Sequence, residues 1–337
     1  MAGYSATGAA VTTSDTVSAR ARLDSVLSPL FVVLWSSAFV AGAVGLRGAP
    51  ALLLTFARFA VAGVLLAGLA CALHRRWPRG RQLGHIAVSG LLMQAVQFGA
   101  LYAAMGLGLP GGVVALVQGL NPAVIALLAG PVLGERASGR QCWGYGVGAA
   151  GVLLAVSDQW SHSPLGVLCA VVGLVGLGAG TVYQKRFVRD MDVLSGTAVQ
   201  FAASAPVLGV AMLVFGQLSV TDWGTFGVAL AWIVLVNSVG TFVLLNVMLR
   251  RGAASRVGTL FFLTPSVTAA MCWVALGRTL SPLELAGLAL GGLGVLLAAG
   301  RRAGGAEGRL SAAAHRALHA AHLRTWRQRP LGHRRCA

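Results

Sequence analysis

Hydrophobic residues in this chain do not alternate with polar ones. They come in long runs separated by short clusters of arginine, glycine and proline. Ten runs stand out, near residues 29–46, 51–73, 83–104, 111–133, 141–157, 164–183, 195–215, 224–249, 255–276 and 282–300. A run of about 20 apolar residues is what an α-helix needs to cross the bilayer core. Barrel strands would instead show a two-residue period over about ten residues, and none of these runs does. The pattern predicts an all-α polytopic membrane protein with ten transmembrane helices. Residues 1–28 are polar and mixed in charge, without the short apolar core and small-residue cleavage site of a secretory signal, and read as an N-terminal tail. Residues 301–337 are rich in Arg, His, Ala and Gly with no sustained apolar face. They read either as a disordered basic tail or as an amphipathic segment lying on anionic lipid.

Composition sharpens this picture. The 337 residues are 56% hydrophobic and 10% charged, whereas soluble domains carry about a quarter charged residues. There is too little polar surface for a soluble two-domain enzyme, and too much apolar sequence for a disordered protein. The five cysteines, Cys71, Cys142, Cys169, Cys272 and Cys336, are scattered and show no metal-ligand spacing. No disulfide framework, metal or cofactor is expected. A net charge of +17 would point to nucleic acid in a soluble protein. Here the cations crowd into loops and tails, so the expected partner is the lipid bilayer and not nucleic acid.

The placement of those cations sets an orientation. Of the 26 Lys and Arg residues, 23 fall in the two tails and in the loops after the even-numbered runs and around 136–140, 185–189 and 250–256. The opposite side holds only Arg47 and Arg278, and Arg58 lies inside a run. Positive loops stay cytoplasmic, so both termini are expected in the cytoplasm of a plasma (inner) membrane protein. An even number of spans requires the same.

The chain also repeats itself. Residues 109–155 read LPGGVVALVQGLNPAVIALLAGPVLGERASGRQCWGYGVGAAGVLLA, and residues 252–298 read GAASRVGTLFFLTPSVTAAMCWVALGRTLSPLELAGLALGGLGVLLA. An offset of 143 without a gap pairs Pro122 with Pro265, Gly134 with Gly277, Ser138 with Ser281, and Gly144, Gly148 and Gly151 with Gly287, Gly291 and Gly294. Two five-span copies follow, 29–157 and 164–300. Five is odd, so the second copy must enter the membrane upside down. Inverted repeats are a transporter signature, with solute bound near the midplane between the halves.

These stretches, with LWSSAFV at 34–40 and LTFARFAVAG at 54–63, resemble the EamA family of the drug/metabolite transporter superfamily. The resemblance covers about 29–300. It implies ten helices, a central cavity formed by helices 1–4 and 6–9, and helices 5 and 10 set aside as scaffold. It also implies small metabolites such as amino acids as solutes, with export as the direction. A multidrug or other solute permease of the same superfamily is the alternative. The second copy departs at Gly277-Arg278, where the first has Gly134-Glu135.

Arg58 is the most informative candidate. An arginine inside a span costs at least ~2.5–3.5 kcal/mol on insertion scales, and no other span offers an Asp or Glu near mid-depth. It either faces a wet cavity and attracts an anionic solute group, or snorkels and ties up helix carbonyls. Gln94 with Gln97, Gln118 with Asn121, and Asn237 with Thr241 each share one helix face. Their amides and hydroxyl serve as helix–helix bonds or line a polar interior. Trp35, Phe39 and Tyr183 are further lining or gating candidates, against packing and interfacial roles. Pro122 and Pro265 fall at matching places in the two copies, where a broken helix points to a site, and are candidate hinges. Gly144-x-x-x-Gly148 and Gly287-x-x-x-Gly291 mark close helix contacts, either within the chain or with a second subunit in a homodimer. No phosphate-binding G-x-x-x-x-G-K-S/T motif occurs, so ATP is not the direct energy source. Proton coupling, through a group such as Glu135 or His85, and facilitated efflux both stay open. A membrane-embedded enzyme would need clustered bases at one depth, and the seven histidines (His74, His85, His162, His315, His319, His322, His333) do not supply them.

Overall fold

Helix ends in this chain are set by local chemistry in the loops, because the apolar runs themselves carry no stop signals. The computed structural model describes residues 10–134, 137–188, 191–241, 244, 248 and 263–299, and no strand occurs among them. We label the helical segments in chain order: α1 (Ala10–Gly48), α2 (Ala51–Ala72), α3 (Arg81–Gly106), α4 (Gly111–Leu133), α5 (Gly139–His162), α6 (Pro164–Phe187), α7 (Val193–Val214), α8 (Trp223–Thr241), α9 (Thr264–Leu276) and α10 (Pro282–Ala299). Seven are long and apolar enough to cross a membrane: α1 over Val26–Gly48, α2, α3, α4, α6, α7 and α8. α9 and α10 are shorter apolar helices. α5 is long enough, but it includes Arg140, Asp158 and His162, which dilute its apolar run. Residues 10–28, expected as tail, are continuous with the first helix. The ends of the eighth and ninth predicted spans, Glu135 and the basic tail lie outside the described residues.

Four turns carry side-chain caps, each satisfying orphan N–H groups at a helix start. Asp192 accepts from Leu194 and Ser195 N–H, both at 3.1 Å. Asp222 accepts from Gly224 at 2.9 Å and Thr225 at 3.2 Å. Ser138 and Gln141 form a reciprocal capping box. Ser281 and Glu284 do the same, Ser281 N–H donating to Glu284 Oε2 at 2.9 Å and Glu284 N–H to Ser281 Oγ at 3.2 Å. The turns before these two boxes also match. Asn121–Leu133 and Thr264–Leu276 are both 13-residue helices. They end on left-handed glycines, Gly134 at φ 71° and Gly277 at φ 66°, a conformation that only glycine adopts without strain.

The packing has a regularity of its own. α2 lies along α7, α4 against α9, α3 against α6, α1 against α8, α4 against α6 and α1 against α9. Exchanging each helix of α1–α5 with the one five places later maps this set of neighbours onto itself. α5 and α10 obey the same rule in atomic detail. A Cβ on Gly144 would fall 2.5 Å from Gly294 O and 2.8 Å from Ala298 Cβ. A Cβ on Gly287 would fall 2.5 Å from Gly151 O and 2.6 Å from Ala155 Cβ. Under the offset of 143, the first pair of contacts becomes the second. Such an approach is open only to helices that carry glycine at the crossing. The glycine spacings seen in the sequence therefore face each other within one chain.

Candidate functional site

The polar interior is built from residues that apolar helices must hold in pairs, because an unpartnered polar group in hydrocarbon is costly. Arg58 lies on the buried face of α2 and is 4% exposed. Its Nε donates to Ser238 Oγ of α8 at 3.3 Å, and its Nη1 donates to Tyr102 Oη of α3 at 3.1 Å. The guanidinium carbon stands 4.2 Å from the centroid of the Phe98 ring and 5.3 Å from that of Phe59. Aromatic faces and hydroxyls compensate part of a buried cation's lost hydration. No carboxylate does so among the described residues, where the one ion pair joins Arg75 to Asp192 near helix ends. Arg58 therefore neither snorkels nor ties up carbonyls among its recorded bonds; it sits in an aromatic and hydroxyl cage.

A second cluster joins the helix opposite α2. Gln200 of α7 is buried and donates to Ser89 Oγ of α3 at 3.0 Å and to Gln184 Oε1 of α6 at 3.2 Å. An offset of 142 pairs Arg58 with Gln200, Thr55 with Thr197 and Phe59 with Phe201. Thr55 and Thr197 each donate to the carbonyl four residues back at 2.6 Å, and the Phe59 and Phe201 rings meet at 4.9 Å. Arg58 thus reaches from α2 to a serine on α8, and Gln200 reaches from α7 to a serine on α3.

A third cluster links α1, α8 and α9. Asn237 Nδ2 donates to the Leu34 carbonyl at 2.5 Å and to Ser37 Oγ at 3.3 Å. Trp232 Nε1 donates to the same Ser37 hydroxyl at 2.9 Å, and Ser36 Oγ donates to the Thr264 carbonyl at 3.4 Å. Asn237 Oδ1, Thr264 Oγ1 and Thr268 Oγ1 are buried with no hydrogen-bond partner among the described atoms. Gln118 and Asn121, on α4, face α6. Gln118 Nε2 donates to the Ala170 carbonyl at 3.2 Å, while Gln118 Oε1 and Asn121 Oδ1 are buried without a partner.

α3 and α8 share one irregularity. Each contains a π-helical stretch, Leu91–Val96 and Trp232–Thr241, a feature that often marks functional sites. Gln94 lies in the first and Asn237 in the second, 143 residues apart, and both are buried. Gln97 follows the first stretch and is buried. Thr241 closes the second, its hydroxyl donating to the Val236 carbonyl at 2.9 Å.

The helix break in α4 lies at Gly119–Leu120, immediately before the helix turn that holds Pro122. Pro122 and Pro265 occupy the first turn of the helices Asn121–Leu133 and Thr264–Leu276, where the missing N–H leaves no hydrogen bond unmade. Both line one largely apolar cavity, together with Gly119, Leu120, Gly148 and Gly291. Trp35 packs against Phe31 at 5.7 Å near the start of the apolar part of α1. Phe39 is buried in the main core. Tyr183 lies at the far end of α6, its hydroxyl 2.8 Å from His85 Nδ1 and its ring 4.7 Å from Phe187.

Arg58 meets Ser238, the residue after Asn237, while Pro122 and Pro265 share a cavity that neither Arg58 nor Asn237 lines. Tyr102, Gln200, Ser89, Ser37, Thr264 and Thr268 escaped the sequence reading. For Gln200 a signal existed, since the repeat extends back to α2 and α7. For the hydroxyls there was none, because a lone Ser or Thr in an apolar helix usually bonds its own backbone.

Comparison with known proteins agrees with this build. The sequence profile described as "EamA-like transporter family" matches residues 26–157 and again 164–300. A protein of Streptantibioticus cattleyicolor named "Probable terminal-alkyne amino-acid exporter" is 31% identical over 300 residues, covering 80% of this chain and 90% of its own. One of Escherichia coli K12 named "Probable amino-acid metabolite efflux pump" is 25% identical over 282 residues, covering 80% and 92%. Another from the same strain, named an uncharacterized inner membrane transporter, is 25% identical over 273 residues, covering 79% and 88%. A solved crystal structure superposes with a TM-score of 0.58 at 22% identity, covering 82% of this chain and 98% of that one, and so shares the fold. The chain is a multi-pass membrane protein and belongs to the EamA-like transporter family.

Proposed function

We propose that this protein is a secondary exporter of small amino-acid-like metabolites in the inner membrane, working by alternating access between two inverted five-helix repeats. The observation that carries this reading is the exchange symmetry of the packing. Six main neighbour pairs map onto one another when the halves are swapped, and the glycine contacts of α5 and α10 are reciprocal. Two halves of one shape and opposite orientation give a single chain two near-equivalent states, open to either side. Residues 29–157 and 164–300 would be the halves, ten helices in all, with both termini cytoplasmic.

In this reading Arg58 is the fixed positive charge on the solute path. A buried cation whose recorded partners are hydroxyls and rings, with no acid among the described residues, is complementary to a carboxylate. Gln94, Gln97, Gln118, Asn121, Asn237 and Thr241 supply hydrogen bonds along the path. Several of their atoms, unpartnered in this state, would be satisfied by solute or water. Trp35, Phe39 and Tyr183 bound the path, and Pro122 and Pro265 flank the breaks at which the halves flex. The solutes named in two relatives, amino-acid metabolites and an alkyne amino acid, fit such a lining.

The test is metabolite profiling of medium from cells producing the wild type, an Arg58→Gln variant or empty membrane vector. The reading expects an amino-acid-like carboxylate enriched by the wild type, strongly reduced with Arg58→Gln and absent with the empty vector. Enrichment of lipophilic cations instead would favour the multidrug permease alternative. No enrichment of any compound would overturn export.

A further inference from the structure

The end of the bundle away from the arginine-rich loops holds a cavity distinct from the clusters described above. Arg47 at the end of α1, Arg278 in the turn after α9, Cys272 of α9, Gln159 of α5, Glu284 of α10 and Pro110 before α4 all line it. Its volume is about 420 Å³. The two arginines are 231 positions apart and are the only Lys or Arg residues assigned to this side of the chain. Both are exposed, and neither makes an ion pair among the described residues. The carboxylate on the wall is already engaged. Glu284 is 5% exposed, accepts the Ser281 N–H at 2.9 Å and lies 3.5 Å from Gln159 Nε2.

Arg278 is also where the duplicated corner changes sign. Both corners share the left-handed glycine and the serine capping box, so folding asks the same of each. The first copy continues Gly134-Glu135 and the second Gly277-Arg278. The turn does not require the reversal, and its product is a guanidinium on the wall of this cavity. Two guanidinium groups at a concave, low-dielectric mouth draw anions to it, and each can grip a carboxylate with two parallel bonds.

We propose that this vestibule is the outward release site of the transporter, an anion-selective mouth in which Arg47 and Arg278 receive the carboxylate of the departing solute. The proposal rests on the exporter reading and on cytoplasmic termini, and it deepens both by fixing the solute class as carboxylate-bearing. A lipid phosphate could offer the same chemistry, so the test separates the two sources.

Thr279, exposed on the cavity wall beside Arg278, is the place for a reporter thiol. In a Thr279→Cys variant with Cys71, Cys142, Cys169, Cys272 and Cys336 replaced by alanine, two membrane-impermeant methanethiosulfonates are compared. One bears a sulfonate and the other a trimethylammonium. Applied from outside to phosphatidylcholine proteoliposomes of defined orientation, the anionic reagent should react faster by about tenfold, relative to a free thiol. That preference should collapse in Arg47→Gln/Arg278→Gln and persist in Arg47→Lys/Arg278→Lys, with gel filtration checking that each variant is intact. L-Leucine and 4-methylpentanoate should slow the labelling, and isopentylamine should not. A reporter thiol unreactive from outside, equal rates for the two reagents, or a preference indifferent to the glutamines would overturn the proposal. Protection by phosphatidylglycerol in the vesicles, without protection by the carboxylates, would also overturn it by making the ligand a headgroup. Export in the metabolite assay is read separately. A normal labelling pattern with no exported compound would count against the exporter reading and leave the mouth's anion selectivity standing.

Discussion

Arg58 has been taken out of water without being given an acid, and its surroundings show how the fold tolerates that. The Phe98 face, the Tyr102 hydroxyl and the Ser238 hydroxyl each supply a fraction of the lost hydration. Lysine offers a point charge on a flexible stem and cannot stack and bond in two directions at once. Arg58→Lys is therefore expected to cut export about as deeply as Arg58→Gln, by tenfold or so, while both variants remain folded by gel filtration. Full export by the lysine variant would show that charge alone suffices. Tyr102→Phe removes one bond to a cation, worth about 1.5–3 kcal/mol, and should lower the melting temperature without changing which compound is exported. That Arg58 matters was legible in the sequence, because a cation inside an apolar run needs a reason. Its cage was not legible, because Ser238 lies 180 residues away and nothing in either helix names the other as its neighbour.

Helices meet here in two ways, and each has its own test. At the α5–α10 crossing the backbones touch, so a methyl group has nowhere to go. Gly287→Ala should destabilise the protein by about 1–3 kcal/mol through overpacking. Gly292→Ala, whose Cβ would meet nothing within 4 Å, should leave the melting temperature unchanged. Equal effects would mean that the crossing is looser than described. At helix starts the chain relies on side-chain caps. The Thr225 hydroxyl and the neighbouring N–H groups hold the exposed Asp222 carboxyl below its ordinary value of 3.8. A depressed carboxyl contributes stability above its unfolded pKa and loses it as pH falls through the folded value. The melting-temperature gap between wild type and Asp222→Ala should accordingly be constant near neutrality and narrow only in acid below that range. The glycine contacts were legible as spacing, and the structure adds their partners. The interruption of α4 was legible as a helix broken at Pro122, and the structure places it at Gly119–Leu120, just before the proline. The fifth span was legible as a helix, although its charged ends leave it outside the seven that qualify on apolarity.

At the scale of the molecule, one duplication organises all of this. The Pro122/Pro265 register, the corner glycines and the capping boxes could be aligned by eye because they share an offset of 143 without gaps. The α2 and α7 pairing escaped because its offset is 142 and its polar residue changed from Arg58 to Gln200. In the exporter reading, a duplicated scaffold carrying unlike charges would give similar shapes to the two states and different chemistry at the two mouths. The claim on which transport rests is that the second half is inverted, so equivalent corners must lie on opposite faces of the membrane. Ala137→Cys and Leu280→Cys, 143 positions apart in the two capping-box turns, test it directly in a background whose five native cysteines are replaced by alanine. With a membrane-impermeant maleimide on intact cells, Leu280→Cys should label and Ala137→Cys should label only after permeabilisation. Labelling of both from the same side would contradict the inverted arrangement.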